Sequence, residues 1–135
     1  MPVRILVVDD ERLVLDLICR ALSVCGYEVV CIADPVQALA TATASPRVDL
    51  IVSDVAMPGM RGPELLRKVR ETSPDIPALL MSGFVVTDVP AGVPFISKPF
   101  KVQDLVRIVQ ELLSLATPQD GRRVGPPKHA RAAGP

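Results

Sequence analysis

Several residue types are scarce in this chain, and each scarcity narrows the reading. Aromatic residues make up 3% of the 135 residues and Trp is absent, so a buried core has to be built from Val, Leu, Ile and Ala. That mix suits sheet packed against helices. Cys19, Cys25 and Cys31 stand at six-residue spacing and contain no Cys-x-x-Cys pair, the spacing that zinc and redox sites use. They are read as reduced core or near-core thiols with no redox role. The apolar run in MPVRILVVDDE is too short for a signal peptide or membrane span, which makes a cytoplasmic location the default expectation. Histidine occurs once, at His129, in a polar stretch where it is read as solvated. Net charge is zero but uneven, with Arg122, Arg123, Lys128 and Arg131 near the carboxyl end.

What is present alternates. Short apolar runs and helical patterns follow one another, the mark of parallel βα units in a single domain. Strands are expected at 4–8, 28–32, 49–53, 78–81 and 93–96. The first helix is expected from Glu11 to about Val24, with Asp10 as a possible cap, Leu13, Leu17, Ile18, Ala21 and Leu22 in its periodic pattern, and Gly26 at its end. Asp34-Pro35 opens a second helix reaching Ser45-Pro46, and Gly62-Pro63 opens a third that closes at Ser73-Pro74. A last amphipathic helix runs from Val102 to about Leu115. Residues 1–117 are thus assigned to the domain. Residues 118–135 carry little apolar side-chain surface and are read as a disordered tail.

In an open parallel sheet, ligands bind beyond the carboxyl ends of the strands. That rule selects Asp9 and Asp10 after the first strand, Asp54 after the third, Ser82 after the fourth and Lys98 after the fifth. Carboxylates on neighbouring strands share a cavity only when their repulsion is offset, and a magnesium ion, with its preference for hard oxygen ligands, does that. Lys98 adds a fixed positive charge and Ser82 a hydroxyl donor. The set suits phosphoryl transfer to Asp54. Taken singly, each residue has a plainer reading: Asp9-Asp10 as turn and cap, Asp54 as a turn residue, Lys98 as a surface lysine.

The segments VVDDE, SDVAMPGMRG, MSG and FISKPF together resemble the response regulator receiver family of two-component signalling, over about residues 3–116. The resemblance implies a chemotaxis-regulator-like, doubly wound five-stranded parallel sheet of flavodoxin-like order 2-1-3-4-5. It implies that Asp54 takes phosphate from a phosphohistidine on a sensor histidine kinase or phosphotransfer protein. Asp9 and Asp10 would hold Mg2+ with Asp54 and the backbone carbonyl of Ala56. Ser82 and Lys98 are similar to the switch hydroxyl and the phosphate-pairing lysine, Phe95 to the aromatic that reorients, and Pro99 to the proline of a cis bond. The implied role is a signalling switch, not an enzyme; the chain itself is expected to carry no DNA-binding module and no membrane segment.

The stretch from Ser82 to Lys98 is shorter than the family normally needs for a fourth helix, and Pro90, Gly92 and Pro94 oppose one. That helix is therefore expected to be missing or reduced to one irregular turn. Val85, Val86, Val89 and Val93 would cover the sheet flank in its place, or form a partner-binding patch. Shortened receivers of this kind sometimes accompany hybrid sensor kinases, but the Met1 start favours a free-standing chain. Two rival functions stand beside this reading. A magnesium-dependent aspartyl phosphatase would use a similar residue set, but its Asp-x-Asp motif is absent. A receiver-shaped binding module that takes no phosphate is the other.

Overall fold

The computed structural model describes residues 2–116. The expected tail 118–135, His129 included, lies outside them. Five strands, β1 (Arg4–Val8), β2 (Glu28–Ile32), β3 (Leu50–Asp54), β4 (Ala78–Ser82) and β5 (Phe95–Ser97), alternate with helices α1 (Arg12–Val24), α2 (Pro35–Ala42), α3 (Gly62–Val69) and α4 (Val102–Leu115). The strands are all parallel, in the order β2-β1-β3-β4-β5.

Side chains alternate across a strand, so each central strand feeds two cores. Ile5 and Val7 of β1, Leu50 and Val52 of β3, and Leu79 and Met81 of β4 pack with Leu15, Ile18 and Leu22 of α1 and with Leu105, Val109 and Leu113 of α4. Leu6, Val8, Ile51 and Leu80 pack on the other face with Ala38 of α2 and Leu65, Leu66 and Val69 of α3. Both faces are covered, which is why these strands read as unbroken apolar runs.

The helix ends follow local chemistry. Gly26, at φ 96°, ends α1 in a Schellman arrangement: the Tyr27 N–H donates to the Leu22 carbonyl and the Gly26 N–H to that of Ser23. Asp34 caps α2 by accepting from the Val36 N–H at 3.1 Å, with Pro35 at the first helical position. This helix stops at Ala42 rather than at Ser45, with Thr43 as its C-cap and the Thr43 hydroxyl donating back to the Leu39 carbonyl at 2.9 Å. Asp10 does not cap α1. The N-cap is Glu11, whose own N–H donates to the Asp9 carboxylate.

Two further expectations are corrected. Leu13 and Leu17 are 87% and 51% exposed, because Leu15, Ile18, Cys19 and Leu22 form the stripe that meets the sheet. Cys19 and Cys31 are joined by a disulfide rather than reduced, since α1 lies against β2 and brings together residues 12 apart in sequence; Cys25 is free. Between β4 and β5 the described chain makes only bends and a turn, so the fourth helix along the chain is the carboxyl-terminal Val102–Leu115. Val93 is buried and Val86 and Val89 pack on the core in that segment, while Val85 is 95% exposed. The segment is tied to the start of α3 by a two-bond ion pair, Arg61 Nε and Nη2 donating to Asp88 Oδ2 and Oδ1 at 3.1 and 2.9 Å.

Candidate functional site

β3 ends on Asp54, one residue later than the sequence pattern suggests, so this carboxylate is held by the sheet itself. Asp54 continues the alternation of Leu50 and Val52 and Asp9 that of Ile5 and Val7, so both project on the α1 and α4 side. Asp9 is fully buried and Asp54 is 6% exposed. Lys98 arrives from the end of β5, where its N–H donates to the Ser82 carbonyl at 2.8 Å. Its Nζ reaches Asp9 Oδ2 at 2.9 Å and Asp54 Oδ2 at 3.4 Å.

A close approach of backbones sets the floor of the site. The Gly62 N–H donates to the Val55 carbonyl at 2.9 Å, and a Cβ on Gly62 would lie 2.3 Å from the Asp54 carbonyl oxygen. Only glycine lets α3 begin there. The Ser53 hydroxyl donates to the same Asp54 carbonyl at 2.8 Å.

Glu11 joins the site although the sequence pattern marks it only as the start of a helix. Its Oε1 lies 2.8 Å from Lys98 Nζ. One oxygen from each of Asp9, Glu11 and Asp54 falls within 4.8 Å of the others. Asp10 is exposed and lies on the wall of the adjoining cavity of about 670 Å³, with Asp54, Ala56, Phe84 and Lys98. Ser82 is fully buried, and its Oγ accepts from the Phe84 N–H at 3.0 Å. Phe95 is half-buried against the core on the α3 side, and the Lys98–Pro99 bond is cis.

The electrostatics show charge left only partly compensated. Burial, then the negative charge of Asp9, pushes the Asp54 carboxyl up to about 6, and Lys98 offsets this in part. Burial alone would lower the Lys98 ammonium, yet its hydrogen bonds to Glu11 and Asp9 and the charges of Asp54 and Asp9 raise it well above its ordinary value. Three carboxylates sharing one ammonium form a hard-oxygen donor set, which fits a divalent cation of the magnesium class.

Comparison with known proteins agrees with this geometry. The family model for the response regulator receiver domain matches residues 5–110. The response regulator MprA of Mycolicibacterium vanbaalenii is 40% identical over 127 residues, covering 90% of this chain and 54% of its own. The Mycobacterium tuberculosis protein of the same name is 39% identical over 126 residues, covering 89% of this chain and 54% of its own. The chain thus spans about half the length of the curated relatives it matches. Among solved structures, the receiver domain of the hybrid histidine kinase CckA is 39% identical with a TM-score of 0.72, covering 82% of this chain and 98% of its own. Vibrio cholerae chemotaxis protein CheY4 is 32% identical with a TM-score of 0.76, covering 84% of this chain and 100% of its own. With strand order, carboxylates and lysine in place and the match running over most of its length, this chain belongs to the response regulator receiver domain family.

Proposed function

We propose that the chain is a phosphorylation switch that accepts a phosphoryl group on Asp54 from the phosphohistidine of a sensor histidine kinase or phosphotransfer protein. The observation that carries this reading is a buried carboxylate at the end of a central strand, 3.4 Å from a lysine ammonium and open to a cavity. An Asp54 carboxylate oxygen attacks phosphorus, the phosphorus–nitrogen bond to the imidazole breaks, and the departing nitrogen takes a proton from solvent. Lys98 stabilises charge on the equatorial oxygens. By the family resemblance we assign Mg2+ to Asp9, Asp10, Asp54 and the Ala56 carbonyl; Asp9 and Asp54 belong to the carboxylate cluster whose third member is Glu11, while Asp10 and Ala56 line the adjoining cavity. When bound, the ion offsets carboxylate repulsion and binds a phosphoryl oxygen.

The phosphoryl group adds roughly two negative charges and strong acceptors beside Lys98. The Ser82 hydroxyl then donates to a phosphoryl oxygen, and the segment between β4 and β5, whose Phe84 N–H donates to the same Ser82 oxygen, moves with Phe95. Partner affinity changes only as far as the two states differ in binding it. The chain is read as a signal acceptor rather than an enzyme acting on small substrates, working in the cytoplasm. Among the described residues no helix is long and apolar enough to cross a membrane.

Incubation with acetyl phosphate and magnesium, followed by intact mass measurement, tests the acceptor role. The wild type gains one phosphoryl group and Asp54→Ala gains none; an adduct on both proteins sinks the assignment. Sustained release of phosphate from small phosphate esters would favour a phosphatase instead.

A further inference from the structure

The ammonium of Lys98 has three N–H donors, and three carboxylates surround it. Asp9 Oδ2 lies at 2.9 Å, Glu11 Oε1 at 2.8 Å and Asp54 Oδ2 at 3.4 Å. A phosphoryl group on Asp54 brings several oxygens that compete for the same three donors, so the weakest-held partner is the one displaced. Asp9 is fully buried and its other oxygen accepts from the Glu11 N–H at 2.9 Å. Without the metal, separating it from Lys98 would strand a buried charge, and with Mg2+ bound Asp9 is one of the groups assigned to hold the ion, so it stays in place in either state. Asp54 carries the incoming group itself. The Glu11 side chain is 61% exposed, and its release into water gives up only a solvent-screened ion pair. The backbone of Glu11 stays fixed by its N–H bond to Asp9 while the side chain turns.

We propose that Glu11 is the exchangeable partner of Lys98: a positioning residue that holds the ammonium over the site in the unphosphorylated chain and yields it to the phosphoryl group. Glu11 is therefore a built-in competitor, and its charge sets how readily the site accepts an anion. This inference rests on the acceptor role of Asp54. It concerns a residue outside the acid pair, the switch hydroxyl and the lysine.

The test uses Glu11→Gln, which keeps the shape and an acceptor oxygen but removes the charge. Affinity for beryllofluoride, a phosphoryl stand-in, is measured by titration calorimetry with magnesium saturating for each protein, and labelling by acetyl phosphate is timed in parallel. At low salt Glu11→Gln binds the anion about threefold to fivefold more tightly than wild type, the size of a lost exposed ion pair. The gap closes toward 1 M salt, where the screening length falls to about 3 Å. In a Lys98→Ala background the same substitution brings no gain in binding or labelling rate. Equal or weaker anion binding by Glu11→Gln at low salt overturns the proposal, as does a gain that persists without Lys98. Failure of the acceptor reading looks different: the wild type then takes no phosphoryl group on Asp54, whatever stands at position 11.

Discussion

Asp54 sits 6% exposed beside the fully buried Asp9, so its charged form is maintained against its surroundings. Its folded pKa of about 6 lies above the ordinary value of about 3.9 for an unfolded aspartate. Between those values the folded chain binds more protons than the unfolded one. The corresponding stability is fully present below about pH 4 and is lost as pH rises through about 6. Asp54→Asn removes that dependence. In chelator-treated protein it is expected to be more stable than wild type by about 1–2 kcal/mol near pH 7.5, after allowing for solvent at the cavity mouth. The difference should vanish near pH 4, as read by urea unfolding at several pH values. A constant difference across that range would mean that Asp54 is not the group under strain. At Gly62 the issue is space: Gly62→Ala places a methyl against the Asp54 carbonyl, since its Cβ would lie 2.3 Å from that oxygen. Overpacking of this kind costs about 1–3 kcal/mol. Thermal unfolding should show the loss, and acetyl phosphate labelling should slow because the strand end that carries Asp54 is displaced.

Single elements show what could be read from sequence and what could not. The strand ends were legible, because apolar runs stop where Asp9, Asp54, Ser82 and Lys98 begin, and in a parallel sheet those ends meet. Glu11 was not legible. Helical periodicity marks where α1 starts but says nothing about where the side chain of its N-cap residue points. The phase of α1 was ambiguous for a related reason: Leu13 and Leu17 lie on one helical stripe and Leu15, Ile18, Cys19 and Leu22 on another, and only packing against the sheet chooses between them. The Cys19–Cys31 link was hidden because it depends on that same choice, which turns Cys19 toward β2. Its consequence is measurable at the scale of the α1–β2 unit. In oxidised protein, Cys31→Ser should lower the unfolding free energy by about 2–3 kcal/mol, the value for a loop of this size. Under reductant the two proteins should unfold alike, and a difference that survives reduction would trace the effect to packing.

At the scale of the whole molecule, a two-faced α/β sandwich leaves one segment outside its regular elements. Residues 83–94 lie on the α3 side, held by Val86, Val89 and Val93 and by the Arg61–Asp88 pair, with Phe84 and Val85 69% and 95% exposed. They were expected to lack a helix because Pro90, Gly92 and Pro94 interrupt any helical run. Which valines turn inward was settled only by tertiary contact. If phosphorylation acts through Ser82, hydrogen exchange of the amides from Phe84 to Phe95 should change when beryllofluoride and magnesium are added. The amides of β1 and β3 should stay protected in both states. Unchanged exchange across that stretch would remove it from the signalling route.

This segment also bears on speed. The Phe84 N–H rests on a serine hydroxyl and the Val93 N–H closes a single turn to Pro90, so the stretch can rearrange without breaking a helical ladder. Irregular segments relax on the order of nanoseconds to microseconds, whereas packed helices shift on the order of microseconds to milliseconds. If Asp54 takes a phosphoryl group as proposed, the duration of a signal carried by such a stretch is set by the making and hydrolysis of the acyl phosphate, with the reporting segment following almost without delay.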